Sequence, residues 1–434
     1  MSTVYPLFGK EINAERILAS ASNLNSIIKM NSTALFLIKR NLGDGNISLN
    51  LGSVGLTDSD FVHGTPIDAE LKKCRHLQVL ILSNTWWKHG HALRDTRPVY
   101  ENKLTEIPAA VSSLKNLRVL ICGGQDDKNW GIRDISNISN LKTLTWIDLS
   151  NNKIEHIEEL RLLVNLRRLN LSGNNIISIA PLINLTDLHQ ANLSKNKINS
   201  LEGLENLVNL EILFANNNRL THIAEIKGLS KLIELDLRNN LLKSVDDIAH
   251  LTSLERLDIG ENQIESLNSL KFCKNLSSLN VDHNRVTDLT PLLQFIKKGT
   301  TSLNIVIKDT SALKNKEINI ADNPLTIPPT QIAERGNDSI LNYFESIGEQ
   351  GFDYLYEAKM LIVGQPRAGK TSLKFKLFDS SANLPDEDQT TRGIDISRLK
   401  FDITDKNNES KILYCNVWDF GGQHIYQATH QFFF

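Results

Sequence analysis

From Leu144 to Asn284 the same nine-residue phrase returns every 22 residues, closed each time by an asparagine. The phrases are "LTWIDLSNN", "LRRLNLSGN", "LHQANLSKN", "LEILFANNN", "LIELDLRNN", "LERLDIGEN" and "LSSLNVDHN". They end on Asn152, Asn174, Asn196, Asn218, Asn240, Asn262 and Asn284. A fixed period of this length requires one supersecondary unit stacked on the next. Each phrase supplies a short parallel strand whose Leu and Ile side chains enter a shared core. No single unit buries that face alone, but a stack does. The asparagine turns the chain out of the strand, and its amide can serve backbone groups in the turn. These asparagines are therefore read as structural rather than catalytic.

The pattern L-x-x-L-x-L-x-x-N resembles the leucine-rich repeat in its short class. It weakens upstream: "LRVLICGGQ" (Leu117 to Gln125) and "LQVLILSNT" (Leu77 to Thr85) keep the frame with the last residue replaced. "LNLGSV" near Leu49 is a weaker first repeat. An off-period insert, Trp86 to Lys103, separates two repeats; it reads as a long edge loop, with a partner contact through Trp86 and Trp87 as the alternative. The first 45 residues are rich in helix formers and suit a cap over the open N-terminal core. Downstream, Ile318, Ile320 and Asn323 echo the frame before Pro324, Pro328 and Pro329 block further strands. Thr330 to Ile347 has helical apolar spacing, broken at Gly336, and reads as the closing cap and connector.

Alternate strand residues point away from the core. At the position before the last apolar residue of each phrase the series runs Asp148, Asn170, Asn192, Phe214, Asp236, Asp258, Asn280. Phe214 interrupts a polar ladder, with Ile212 on the same face. That pair is either a small partner-binding spot or ordinary variation of the solenoid. Glu234 and Arg256 occupy matching positions in adjacent repeats and read as a surface ion pair.

Bulk properties narrow the function classes. With 48 basic and 50 acidic residues the net charge is −2, which argues against a general nucleic-acid or anionic-membrane binder. The four cysteines, Cys74, Cys122, Cys273 and Cys415, form no CxxC pair and suit a reducing, cytoplasmic setting. No run of about 18 apolar residues exists to span a membrane. Asn-x-Ser/Thr triplets follow from the repeat consensus.

A second kind of sequence begins at "KMLIVGQPRAGKTSLKFKLF" (Lys359 to Phe378). An apolar run fit for a buried strand precedes Gly364 to Thr371, which matches G-x-x-x-x-G-K-[ST]; a helical pattern follows. In such a loop Gly364, Gln365, Pro366, Arg367, Ala368 and Gly369 present backbone N–H groups to phosphates. Lys370 sets a point charge against the beta and gamma phosphates. The Thr371 hydroxyl can ligate magnesium, and the turn containing Ser372 opens a helix whose dipole favours the anion. Further on, "TTRGIDISRLKF" and "KILYCNVWDFGGQ" alternate as two strands about the turn "TDKNNES", so they should pair as a hairpin. Asp419 to Gly421 also spells the D-F-G of protein kinases. No H-R-D loop and no V-A-I-K strand accompany it, so the kinase reading is set aside.

The repeats, "NPLTIPP", "GNDSILNYFESI", the phosphate loop, "TRGIDI" and "WDFGGQHIYQATHQFFF" together resemble the Roco family. The likeness runs from about residue 71 to the end. Members carry a Ras-like domain, Roc, followed by a COR domain. The resemblance implies GTP binding with Mg2+, slow hydrolysis to GDP, and homodimerisation largely through COR. By position it gives Thr391 (Thr390 the alternative) and Asp419 to the metal and Gly422 to the gamma phosphate. Gln423, with Lys370, falls to catalysis as the residue that orients water. His424 departs from the acidic residue common after that glutamine.

The expected fold is therefore α/β. Residues 1–70 form a capping segment with a weak first repeat, and 71–325 a leucine-rich-repeat solenoid. Residues 326–357 form its C-cap and helical connector, and 358–434 the N-terminal part of a P-loop Ras-like domain. The Asn-Lys-x-Asp and Ser-Ala-Lys loops that read guanine would lie further on, so the sequence reads as a fragment cut within Roc. Two functions remain open. One is a regulatory GTPase whose repeats bind protein partners or autoregulate. The other is a repeat scaffold with an inert G-like segment. A longer Roco protein kinase is a further alternative.

Overall fold

The computed structural model describes residues 30–84, 101–124, 131–297, 302–308, 315–350, 357–362, 368–384, 393–404 and 410–421. Paired tryptophans Trp86 and Trp87 lie outside them. The chain divides into two compact units, Met1–Glu345 and Ser346–Phe434.

The first unit is built on one sheet of 12 three-residue strands, every neighbouring pair parallel. Its register is straight: Leu169 faces Ala191, Leu213 faces Leu235, and Leu235 faces Leu257. Each strand turns its middle residue inward, so Leu213, Leu235 and Leu257 are buried in one continuous core. Short 3-10 turns such as Glu158–Leu162 and Asp246–His250 return the chain along the opposite side. Cys74, Cys122, Cys273 and, in the second unit, Cys415 are free and buried.

The repeat asparagines hold the stack together. Asn174 accepts from the Ile154 N–H at 3.0 Å and donates to the carbonyls of Leu149 and Leu171 at 3.0 and 2.9 Å. The same three bonds recur at Asn196, Asn218, Asn240, Asn262 and Asn284, so each amide links two turns. The residue before each asparagine is left-handed: Asn151, Lys195, Asn217, Asn239, Glu261 and His283 have φ between 50° and 56°, and Gly173 has 69°.

Two departures from strict period emerge. Asn102, near the end of the insert, donates to the carbonyls of Leu51 and Leu82 at 2.7 and 2.9 Å and accepts from the Leu56 N–H at 2.9 Å. These are the ladder bonds, so Asn102 stands where Thr85 would fall in an unbroken repeat. The in-frame chain thus resumes at "ENKL", the counterpart of "NNKI" at Asn151 to Ile154. At the other end, a strand at Asn304–Val306 was not anticipated. It forms the edge beyond Glu317–Asn319, which itself inserts next to Ser278–Asn280.

Both ends are covered. The helix Met30–Asp44 buries Ala34, Leu37 and Ile38 in the core, and Asn41 ties it to the first strand through the Ser48 carbonyl at 2.9 Å. Helix Asn337–Gln350 packs Ile340, Leu341 and Phe344 on the other end. Its first residue, Asn337, accepts from Ile305 N–H at 2.9 Å and donates to the Leu303 carbonyl at 2.7 Å. The edge strand's backbone is thus engaged rather than left as a template for pairing.

The second unit has strands β1 (Glu357–Ile362), β2 (Gly393–Thr404) and β3 (Ser410–Gly421), with helix α1 (Lys370–Phe378) following β1. The sheet order is β1-β3-β2; β1 runs parallel to β3, and β2 and β3 form an antiparallel hairpin. Ile362, Cys415 and Val417 make its small buried cluster.

Candidate functional site

Parallel pairing sets Ile362, the last residue of β1, opposite Asp419 of β3. The chain leaving β1 for the glycine-bounded loop therefore starts level with Asp419. Gly369 ends that loop with φ +78°, a left-handed conformation natural to glycine, and caps α1 at its N-terminus. Lys370 and Thr371 form the first turn. The Thr371 Oγ1 donates to Asp419 Oδ2 at 3.1 Å, joining residues 48 apart in sequence. Asp419 is fully buried. A hydroxyl and a carboxylate thus meet at the N-terminal end of a helix, where the backbone dipole favours an anion. Both are hard oxygen donors, the ligand chemistry Mg2+ prefers when it also keeps waters and substrate oxygens. No cluster of three or more His, Cys, Asp or Glu able to hold a metal occurs among the described residues, so a metal here would depend on such substrate oxygens.

A second contact supports the same corner and was not foreseen. Lys374, one turn along α1, pairs with Asp395 of β2, which lies opposite Asp419 across the hairpin. Asp395 lies between Ile394 and Ile396, on the other face of the strand, where alternation alone gives no sign of a charged partner. Lys359 lies 4.1 Å from the Trp418 ring, and Arg398 donates to Asn416 Oδ1 at 2.8 Å, bracing the strands. Of the expected site residues, Ala368, Gly369, Lys370, Thr371, Ser372 and Asp419 are described. Gly364, Gln365, Pro366, Arg367, Thr390, Thr391, Gly422 and Gln423 lie outside the described residues, as does His424.

On the solenoid, Ile212 and Phe214 share the sheet face turned away from the core, and both are part-exposed. Arg256 Nε lies 3.2 Å from Glu234 Oε1, as their register suggests. Beside them Arg238 donates to Asp282 and Glu261, each at 2.7 Å. Burial, then the neighbouring Asp258 charge, pushes Asp236 up to about 7; burial pushes Asp258 up to about 6.

Comparison with known proteins agrees with both halves. The family described as "Ras of Complex, Roc, domain of DAPkinase" matches residues 359–434. Leucine-rich-repeat families match residues 134–176, 230–272 and 252–294. A Roc-COR-CHAT protease of an unknown prokaryotic organism is 38% identical over 123 residues, 26% of this chain. A protein of the same name from Runella zeae is 36% identical over 104 residues, 22% of this chain. A probable serine/threonine-protein kinase of Dictyostelium discoideum is 33% identical over 135 residues, 27% of this chain. The chain spans 12%, 11% and 4% of the length of these three relatives. Among solved structures, an internalin of Listeria monocytogenes covers 72% of this chain and is itself covered over 82%, at TM-score 0.50 and 22% identity. A leucine-rich-repeat protein of Leptospira interrogans covers 71%, with 79% of its own length matched, at TM-score 0.50 and 23% identity. These two likenesses concern the fold. The chain thus carries leucine-rich repeats followed by a Roc domain, the architecture of a Roco-type protein.

Proposed function

We propose that this chain is the repeat and phosphate-binding portion of a Roco-type regulatory GTPase. It binds GTP with Mg2+ and hydrolyses it slowly to GDP and phosphate. The observation that carries this reading is the Thr371–Asp419 contact at the start of α1, level with the end of β1. Thr371 and, through water, Asp419 would hold Mg2+, which when bound neutralises phosphate charge. Thr391 is the proposed third metal contact.

The protein's own groups do the rest. Lys370 and the N–H groups of the loop from Gly364 to Gly369 bind and orient the phosphates, and their charge is worth more where water is excluded. Gly422 contacts the gamma phosphate through its N–H, and Gln423 orients the attacking water. The repeats recruit protein partners or restrain the G domain. Dimerisation through a COR domain and a cytoplasmic setting belong to the same proposal.

The test is GTP affinity in a chain carrying the whole G domain, with and without Mg2+. Lys370→Ala should abolish binding. Thr371→Ala should weaken it at least about tenfold in Mg2+ and little in EDTA, the loss of one charge-assisted contact of roughly 1.5–3 kcal/mol. Unchanged affinity in Lys370→Ala refutes the assignment.

A further inference from the structure

The outward position at the end of each solenoid strand has a structural duty. Where it is Asn or Asp, its Oδ1 accepts from the N–H two residues on. The pairs are Asn50 with Gly52, Asp148 with Ser150, Asn170 with Ser172 and Asn192 with Ser194, at 2.9 to 3.1 Å. Asp236 and Asp258 bond Arg238 and Gly260 at 3.0 Å; Asn280 and Asn319 bond Asp282 and Ala321 at 3.3 Å. Such a bond fixes the chain as it leaves the strand.

Four described strands place an apolar residue there instead: Ile81, Ile121, Phe214 and, on the edge strand, Val306, where the N–H two residues on, that of Lys308, bonds Asn319 Oδ1 at 3.2 Å. Ile81 and Ile121 are 6% and 1% exposed, so burial accounts for them. Phe214 is part-exposed and gives up the bond without being buried in return. Ile212 adds a second apolar side chain on the same face. One strand further, in register with Ile212 and Phe214, stand Glu234 and Asp236; one beyond are Arg256 and Asp258. Arg256 is engaged with Glu234, and Arg238 with Asp282, Glu261 and, at 3.9 Å, Asp258, so the two guanidinium groups are shared among Glu234, Asp236, Asp258, Glu261 and Asp282 and the local excess of charge is negative.

We infer that this face receives an extended peptide segment of a protein partner, an apolar side chain on Ile212 and Phe214 and a Lys or Arg at Asp236 and Asp258. Spacing supports the pairing. Neighbouring strands lie about 4.8 Å apart, and same-face residues of an extended peptide about 6.6–7 Å apart. A peptide crossing the strands therefore sets its residue i on Phe214 and its residue i+2 over the two aspartates. Burial first, then the Asp258 charge, disfavours the ionised Asp236, and burial, then the Asp282 charge, disfavours the ionised Asp258; an incoming cation favours the charged form of both. The proposal rests on the repeats being a partner-binding module and is independent of nucleotide chemistry.

The test is selection of displayed random dodecapeptides on the full chain, followed by measured affinity of the enriched peptides for variants. The enriched set should share an apolar residue with Lys or Arg two positions away. Phe214→Asn supplies the acceptor its counterparts have, so it should fold at least as well as the parent while losing affinity about tenfold or more. Asp236→Asn keeps the acceptor and should also weaken binding, whereas Phe214→Leu should retain most of it. Enriched peptides that bind Phe214→Asn as tightly as the parent, or that lack the cation, overturn the proposed site and leave the repeats a partner-binding module. Failure to enrich any peptide counts against both.

Discussion

Replacing Asn240 with alanine tests whether the asparagine ladder stabilises the solenoid as its geometry implies. Asn240 accepts from Leu220 N–H at 3.0 Å and donates to the carbonyls of Ala215 and Leu237 at 3.1 and 2.9 Å. The three losses are unequal. Ala215 O also receives Asn218 Nδ2 at 3.0 Å, and Leu237 O receives Asn262 Nδ2 at 3.0 Å. Both carbonyls therefore keep a partner. The Leu220 N–H, on a fully buried residue, keeps none of its bond. An orphaned buried donor costs about 1–3 kcal/mol, and each shared bond lost adds about 0.5–1.5 kcal/mol at most. A loss of about 2–4 kcal/mol follows. Because each repeat contacts its neighbours alone, the defect should also loosen the two adjoining repeats rather than the whole stack evenly.

Urea unfolding followed by circular dichroism measures the loss, and amide exchange at Leu220 reports its location. Lys243→Ala, at an exposed position of the next turn, is the control and should change stability by less than about 0.5 kcal/mol. If Asn240→Ala costs under about 1 kcal/mol and Leu220 stays protected, the inference from bond count to stability is wrong.

Two further outcomes follow from the same face and turns. Gly173→Ala should cost about 1–2 kcal/mol in the same unfolding assay, because φ is +69° there and a Cβ would meet Asn151 Oδ1 at 2.3 Å. Asp236→Asn should remove a pH dependence. The folded carboxyl titrates near 7 against an ordinary 3.8, so its stabilising contribution is present below about 4 and is lost as pH rises towards 7. Burial, then the Asp258 and Glu234 charges, oppose its ionisation, and the Arg238 backbone N–H and guanidinium favour it. Because the side chain is part-exposed, the gain expected from Asp236→Asn at pH 8 is about 1–2 kcal/mol, well below the full shift. No gain at pH 4 and a clear one at pH 8 in thermal unfolding would match; equal effects at both would not.

What could be read in advance followed how local the physical cause was. The solenoid was legible because one period writes the strand, the turn and the asparagine bonds into consecutive residues. Asn102 was not, because an insertion separates it from the strand it serves, and its bonds to Leu51 and Leu82 belong to the fold rather than to the spacing. The strand Asn304–Val306 escaped for a related reason: it pairs out of chain order, as the edge beyond a later strand. At the candidate phosphate site, glycine spacing singled out Gly369, Lys370 and Thr371, while the family resemblance singled out Asp419. Their meeting depends on β1 and β3 being parallel neighbours with Ile362 opposite Asp419. Lys374 and Asp395 carried no motif, and their pairing arises where a helix crosses a hairpin.

Phe214 shows how the two levels inform each other. In the sequence it was an apolar break in a polar series, equally consistent with a contact or with drift. The structure assigns that polar series a job, holding the N–H two residues on, and so turns the break into a lost bond. An apolar residue kept at that position must therefore act through what it touches outside the repeat or be a net destabilisation. Phe214→Asn separates these, since each predicts a gain in stability but the first alone predicts a loss of binding.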